Sequence, residues 1–412
     1  MLAAALAGGG ALIEARAGVF NDFFDYWGAA RLLAAGGNAY DKAAVGALQR
    51  AAGLEVTTGD GFSYPLLFAR LLRPLAALPP WTAGLWFSAA SLLALAAAVA
   101  LLAPLAAGGR GDRRRTLAFA VAAAVFAPAL GSLYFGQANL LVLLPLALAA
   151  AAPPAARAIR PLGLALATSV KLFPATALAA LATRPRRLGE AAGGAVLAAA
   201  LIGLPALGAR SAGGGLFLSL LKPDPYWTNQ SVNGWLSRLA YPTQWTDAMV
   251  PGLPVAALDA AAICLLTLGV AAVLLTHRRA SPLGAISLGL CLGAACAPKN
   301  SLWNLCPLLV ALAYAWPRAA SRQRWLLAGG YLMIELQGLL APARQTVYHA
   351  LPGLGLLASL GLYGALLIGA VTASVVAAES PADDVDRAQV EHPAVVGVDR
   401  GAAERGLHRQ PG

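Results

Sequence analysis

The chain is dominated by long apolar stretches without charged residues. Residues 81–104 contain no Asp, Glu, Lys or Arg, and a helix needs about 20 apolar residues to cross a bilayer. Charged residues make up 12% of the chain, against roughly 25% in soluble domains. Because backbone polar groups in lipid must be satisfied internally, the sequence predicts an all-α polytopic membrane protein.

The apolar stretches predict a series of transmembrane helices. They lie at 1–13, 81–104, 116–135, 137–152, 161–182, 187–209, 252–276, 282–298, 302–317, 325–341 and 351–378. Residues 62–79 contain Arg70 and Arg73, which are costly at mid-bilayer, so this stretch either crosses or forms a re-entrant element. If it crosses, the chain has about twelve transmembrane helices.

Arginine-rich loops orient these helices, because cytoplasmic loops are enriched in Lys and Arg. With twelve spans, the loops at 184–187, 278–279 and 318–324 share the cytoplasmic side with both termini. The loops 14–61 and 210–250 are then extracytoplasmic, and 110–115 is the one basic loop on that side. Without a crossing at 62–79, the 110–115 loop becomes cytoplasmic, but the 184–187 loop moves outside unless another span is miscounted.

The domain organisation is simple. Residues 1–378 form one transmembrane domain, and residues 379–412, which are polar and lack apolar periodicity, predict a disordered cytoplasmic tail. The net charge of +11 reflects loop arginines rather than nucleic-acid binding. The abundance of Ala, Gly, Leu and Arg indicates a bacterial protein.

No cofactor or metal site is expected. The cysteines at 264, 291, 296 and 306 lie in apolar segments and form no CxxC pair, which indicates packing rather than zinc binding. Neither a GxxxxGK[ST] loop nor a GxGxxG turn after a strand occurs, so a nucleotide site is not indicated.

Residues 20–41 form a polar and aromatic segment near the start of the chain. Apolar residues at helical spacing predict short helices at about 23–35 and 41–52, and the aromatic side chains suit a membrane–water interface. Asp22 is the candidate general base, and Asp25 is a second candidate or orients a substrate. The alternative is that Asp22 only caps the first helix.

Other polar residues interrupt the apolar helices, where they are costly and usually functional. Gln137 and Asn139 lie at a break between two predicted helices, and Lys171 stands close to Pro174. Lys299 and Asn300 follow another proline. Each is a candidate substrate ligand or a hydrogen-bond partner between helices. Glu335 is expected to be structural, paired with a buried cation.

The 210–250 loop combines hydrogen-bonding side chains with Tyr226, Trp227 and Trp235. Aromatic faces stack on sugar rings while amides bind hydroxyls, so this mixture is typical of a sugar site. The alternative is a surface loop with interfacial aromatic residues. The candidate sugar ligands are Asn229, Gln230, Ser231, Asn233 and Arg238.

Several of these stretches together resemble glycosyltransferase family 87 of the GT-C superfamily, the polyprenyl-phosphate-mannose-dependent mannosyltransferases. The residues that carry the resemblance appear in the family's order: Asp22-Phe23 with Tyr26 and Ala29-Ala30, Gly36-Gly37 and Tyr40-Asp41, Tyr64-Pro65 with Pro74-Leu75, Gly136-Gln137 with Asn139, Lys171 with Pro174, and Asn229-Gln230-Ser231. The family's Ser-Trp-x-His-like stretch reads PKNSLWNLCP here and has no histidine.

The resemblance implies a GT-C fold and transfer of a hexose, most often mannose. The donor is a polyprenyl-phosphate sugar, and the acceptor is a lipid-linked or cell-envelope glycan at the extracytoplasmic face of the cell membrane. Asp22 is then the base, with Tyr26 and Tyr64 in the substrate site. The candidates for contacting the donor phosphate are Lys171, Lys299, Arg344 and His349. The alternatives are a polyprenyl-lipid transporter or flippase and a non-catalytic scaffold.

Overall fold

The computed structural model describes residues 18–54, 61–109, 111–153, 156, 158–207, 222–243, 247–277, 281–340 and 352–379. Within these ranges the chain is helical, and an isolated antiparallel bridge joins Asn229 to Ser301. The predictions for residues 1–13, for Arg278 and Arg279, and for the tail beyond Glu379 lie outside the described residues.

Seventeen α-helices are described. They are α1 Asn21–Ala34, α2 Lys42–Ala51, α3 Leu66–Leu71, α4 Arg73–Ala76, α5 Pro80–Ala106, α6 Arg113–Val125, α7 Ala127–Phe135, α8 Asn139–Ala151, α9 Ile159–Val170, α10 Ala175–Ala182, α11 Leu188–Ala206, α12 Val232–Ala240, α13 Val255–Thr276, α14 Pro282–Cys296, α15 Leu308–Arg318, α16 Ser321–Leu340 and α17 Leu360–Ala378. Short 3₁₀ turns cover Pro185–Arg187, Leu302–Leu305 and Pro352–Ser359.

Several of these helices have the length and composition of membrane spans. Among the described residues four qualify, namely α5, α11 with the turn before it, α13 and α17 with the turn before it, and the bent pair α6 and α7 makes a fifth. The chain is therefore an all-α membrane protein, while helix length does not confirm the count of twelve. Residues 62–79 form only α3 and α4, of 6 and 4 residues, too short to cross.

The stretch 161–182, predicted as one span, is a helical hairpin. The chain leaves α9 at Lys171, whose backbone is extended, and re-enters a helix after Pro174. Gly194 of α11 packs against both Pro161 and Leu178. The start of α9 and the middle of α10 therefore lie at the same height along α11. The helix therefore turns back at Lys171, because Pro174 favours a new helix start rather than continuation.

Residues 18–54 and 61–78 lie at one end of the helix bundle. Phe20 packs against Trp81 and Gly84 at the start of α5. The Arg70 guanidinium donates to the Pro205 carbonyl at the end of α11 at 2.8 Å. We call this end the Asp22 end, and it also carries the bridge between Asn229 and Ser301.

The described basic loops lie at the opposite end of the bundle. The Arg160 guanidinium at the start of α9 pairs with Glu190 at the start of α11 at 3.0 Å. Gly108, after α5, packs against Pro317 at the end of α15. The loops around 110–115, 184–187 and 318–324 therefore share one end, which corrects the predicted placement of 110–115 on the side of Asp22.

Two local features together explain this correction. Residues 62–79 do not cross, which moves the 110–115 loop to the opposite side of the bundle. The hairpin at Lys171 adds one crossing, which keeps the 184–187 loop on that same side. The positive-inside rule is then satisfied by both loops at once.

We expect cysteines introduced at Arg114 and Arg186 to react with an impermeant thiol reagent from the same side of the membrane. Cysteines at Lys42 and Lys222, which are exposed at the Asp22 end, should react from the other side. The measurement is labelling of intact cells and of inverted vesicles in a background without the native cysteines. Labelling of positions 114 and 186 from opposite sides would contradict the described hairpin.

The bend between α6 and α7 is held by a carboxylate. The two helices meet at 42°, and the Glu335 side chain of α16 accepts the backbone N–H of Ala127 at 2.9 Å. The predicted partner of Glu335 was a buried cation, and the structure shows this backbone amide instead. A negative charge is favourable at a helix N-terminus, so Glu335 fixes the direction of α7 toward the Asp22 end.

Candidate active site

The N-terminus of α1 is docked on the end of α7. Phe20 has a left-handed backbone (φ 59°), and its N–H donates to the Tyr134 carbonyl at 2.9 Å. The helix begins at Asn21, so Phe20 holds the N-cap position and Asp22 lies in the first turn. The alternative in which Asp22 serves only as the N-cap is therefore wrong. The half-buried carboxylate faces the chain break that follows α7.

Gly136 creates this break. Its φ of 68° lies in the left-handed region, which glycine adopts without steric cost. A Cβ here would lie 2.5 Å from the Cβ of Phe23, a side chain with no exposed area. The Gln137 N–H donates to the Ser132 carbonyl at 2.8 Å and closes α7, while Asn139 opens α8. Both predicted polar residues thus lie at the break.

Gln137 connects the carboxylate to a pair of phenols. Its Nε2 donates to Asp22 Oδ2. Its Oε1 accepts the Tyr64 hydroxyl at 3.1 Å, and the Tyr26 hydroxyl donates to Tyr64 at 2.7 Å. Burial raises the pKa of both phenols, so they stay protonated donors. The amide oxygen must therefore face the phenols, and the amide N–H must face Asp22.

Lys171 lies on the far side of Gln137 from Asp22. The Nζ donates to Gln137 Oε1 at 3.2 Å, to Asn139 Oδ1 at 2.6 Å and to Asn304 Oδ1. It also lies 5.2 Å from the centre of the Tyr64 ring, within the range of a cation–π contact. An ammonium has three N–H donors, so three amide oxygens match its full capacity.

Asn304 is the site residue that the sequence does not reveal. It lies in the 3₁₀ turn Leu302–Leu305. The ring of the neighbouring Trp303 packs directly on Gly131 of α7. A Cβ at position 131 would clash with this ring. An amide within an otherwise apolar stretch was the available signal. Within the stretch PKNSLWNLCP the predictions concern Lys299, Asn300 and the missing histidine, but not Asn304.

Comparison with known proteins decides the family. The family model of glycosyltransferase family 87 matches residues 62–298, which is more than half of the 412 residues. The chain belongs to glycosyltransferase family 87. No curated protein and no solved structure matches it. The matched range includes Gln137 and Lys171 but neither Asp22 nor Asn304.

The protein is thus a family 87 glycosyltransferase, and part of its predicted site is assembled in one place. Hydrogen bonds connect side chains from α1, the segment before α3, the break after α7, the hairpin turn and the 3₁₀ turn. The predicted residues in this cluster are Asp22, Tyr26, Tyr64, Gln137, Asn139 and Lys171. We call it, with Asn304, the Asp22 cluster.

Asp25 has a different environment from Asp22. Its carboxylate is buried and accepts the Gln49 Nε2 of α2 at 2.8 Å. The contact ties α1 to α2, which also begins with a side-chain cap from Asp41 to the Ala44 N–H at 3.0 Å. Asp25 therefore holds α1 and α2 together.

The candidate sugar ligands from the 210–250 loop form a second buried cluster. Asn229 Nδ2 donates to the Pro298 carbonyl at 2.9 Å, and Gln230 Nε2 donates to the Ala358 carbonyl at 2.8 Å. Ser231 Oγ caps α12 through the Gly234 N–H at 3.2 Å. These side chains contact protein backbone, and the hydrogen bonds join the loop to the segments around 298 and 358.

The other members of this second cluster are similarly engaged. Asn233 Nδ2 donates to Asp259 of α13 at 3.0 Å, and Arg238 donates to the Asn229 carbonyl at 2.9 Å and to Ser359 Oγ at 2.6 Å. Asn300 Nδ2 donates to the Ala294 carbonyl at 2.6 Å. The cluster positions the stretch that leads to Asn304.

Three further residues are predicted candidates for contacting the donor phosphate. Lys299 is half-buried in the turn between α14 and Asn304, at the Asp22 end. Arg344 and His349 lie outside the described residues.

Proposed function

We propose that this glycosyltransferase transfers a hexose, namely mannose, from a polyprenyl phosphate to a lipid-linked or cell-envelope glycan outside the bacterial cytoplasm. The observation that carries the proposal is the Asp22 carboxylate, held at the end of the bundle opposite the described basic loops. Because basic loops favour the cytoplasm, the carboxylate faces the extracytoplasmic side.

The chemistry is a single displacement at the anomeric carbon. The acceptor hydroxyl oxygen forms a bond to C1 of the sugar, and the bond between C1 and the phosphate oxygen breaks. The phosphate leaves with the electron pair, and Asp22 takes the hydroxyl proton. One general base suffices for such a transfer, and a lipid phosphate leaves once its charge is stabilised by cations or amides.

The hydrogen bond from Gln137 supports the role of Asp22. An N–H donor on one carboxylate oxygen fixes the rotation of the side chain, and a base held in one orientation can accept the proton of the acceptor hydroxyl. Lys299, in the turn before Asn304, is our candidate for the leaving phosphate. The aromatic rings of Tyr26, Phe62 and Phe68 pack against Tyr64 beside the cluster.

We expect membranes that contain the protein to transfer sugar from a radiolabelled polyprenyl-phosphate mannose without any nucleotide sugar. The measurement is label incorporated into extracted glycolipid, with membranes that contain the Asp22→Asn protein as the matched control. A requirement for soluble nucleotide sugar in the presence of the lipid donor would contradict the proposed donor. Movement of the lipid across the bilayer without sugar transfer would support the transporter alternative.

A further inference from the structure

We propose that Lys171 is a positioning residue for Asp22, acting through Gln137, rather than a ligand of the donor phosphate. The inference rests on the proposed function of Asp22 as base. In this proposal the buried ammonium of Lys171 keeps the Asp22 carboxylate ionised and oriented in a poorly hydrated site.

The first argument is the use of the N–H groups of Lys171. Its three donors are matched by the amide oxygens of Gln137, Asn139 and Asn304. A phosphate oxygen could bind this ammonium only by displacing one of them. A buried acceptor that loses its hydrogen bond is costly, so the structure favours an ammonium that keeps its three amide partners.

The second argument is the polarity of the Gln137 amide. Its oxygen receives Lys171 and Tyr64, so its N–H must point to Asp22. The amide thus places a positive charge and a negative charge on its two sides without a direct ion pair. A single carboxamide fixes both the rotation of the base and the separation of the charges.

The third argument is electrostatic. An opposite charge nearby favours the ionised form of a carboxyl group, and a general base must be ionised to accept a proton. Lys171 supplies such a charge, since its ammonium and the Asp22 carboxylate attract each other across Gln137. Further titratable groups in the described part of the chain interact with members of the same cluster. They are Asp25 and Tyr26 on α1, Tyr64 before α3 and Cys306 beside Lys171.

The test is the pH dependence of transfer by Lys171→Met. Removal of the ammonium raises the pKa of Asp22, so the acidic limb of kcat/KM should move to higher pH by about one pH unit, while KM for the polyprenyl-phosphate sugar stays within about twofold. Lys222→Met removes an exposed lysine at the same end of the bundle and should leave the profile unchanged. A raised donor KM with an unmoved acidic limb would overturn the proposal.

A second measurement tests the proposal even if Lys171→Met folds too poorly for kinetics. Loss of the ammonium removes an attractive charge beside the Asp22 carboxylate, so Asp22→Asn/Lys171→Met should melt at a higher temperature than Lys171→Met. Equal or lower melting of the double variant would overturn the coupling. Retained transfer in Asp22→Asn alone would instead refute the proposed base, which separates the two failures.

Discussion

Asp22→Asn should reduce sugar transfer by about 10²–10⁴-fold, the usual contribution of a general base. The amide oxygen of asparagine still accepts the N–H of Gln137, so the first turn of α1 keeps its contact with the break after α7. The free energy of unfolding should change by only about 1 kcal/mol. The measurements are initial rates at saturating donor and thermal melting in detergent.

Asp25→Asn is the matched control on the same helix. The amide oxygen introduced there keeps an acceptor for Gln49, and the site is a contact between α1 and α2. Transfer should therefore fall by less than about tenfold, well short of the effect of losing a base. If the Asp25 variant were inactive and the Asp22 variant active, the base would be Asp25. Activity in both would exclude this segment as the catalytic centre.

Gly136→Ala should lower the free energy of unfolding by about 2–5 kcal/mol and abolish transfer. A left-handed backbone costs an L-residue about 1–2 kcal/mol, and overpacking a core adds about 1–3 kcal/mol. The overpacking arises because the new Cβ meets the Cβ of Phe23 at 2.5 Å. Transfer fails because the residue after Gly136 is Gln137, whose amide orientation depends on this turn.

Gly36→Ala separates the two contributions. Gly36 has a similar backbone (φ 77°) after α1, but no described atom lies within 4 Å of the position of its Cβ. Gly36→Ala should lower the free energy of unfolding only by the cost of the left-handed backbone, about 1–2 kcal/mol. Transfer should be retained. The difference in stability between the two variants, measured from their melting curves, gives the contribution of overpacking at Gly136. Equal destabilisation would show that the contact with Phe23 relaxes freely.

The membrane class and several site residues could be predicted from the sequence because they depend on local signals. Long uncharged stretches predicted the helices, and Gln137 and Asn139 were correctly placed at a break between two helices. Their convergence with Asp22 could not be predicted, since the hydrogen bond from Gln137 joins residues 115 positions apart. Such contacts depend on helix packing that no local pattern encodes.

The topology was mispredicted at one loop for a related reason. Residues 161–182 have the composition of a single span, and the turn at Lys171 depends on a lysine and a proline three residues apart. Composition averaged over a window hides such a reversal. The amides of the 229–238 segment were likewise interpreted by type, whereas their carbonyl partners near 298 and 358 appear only in the fold.

The family match ends short of the Asp22 cluster on both sides. Asp22 precedes residue 62 by 40 positions, and Asn304 follows residue 298 by six. A fragment cut at those borders would lack the carboxylate, and its Lys171 would keep two amide acceptors instead of three. If Asp22 is the base, as we propose, the smallest unit able to carry out the reaction is longer than the region by which the family is recognised.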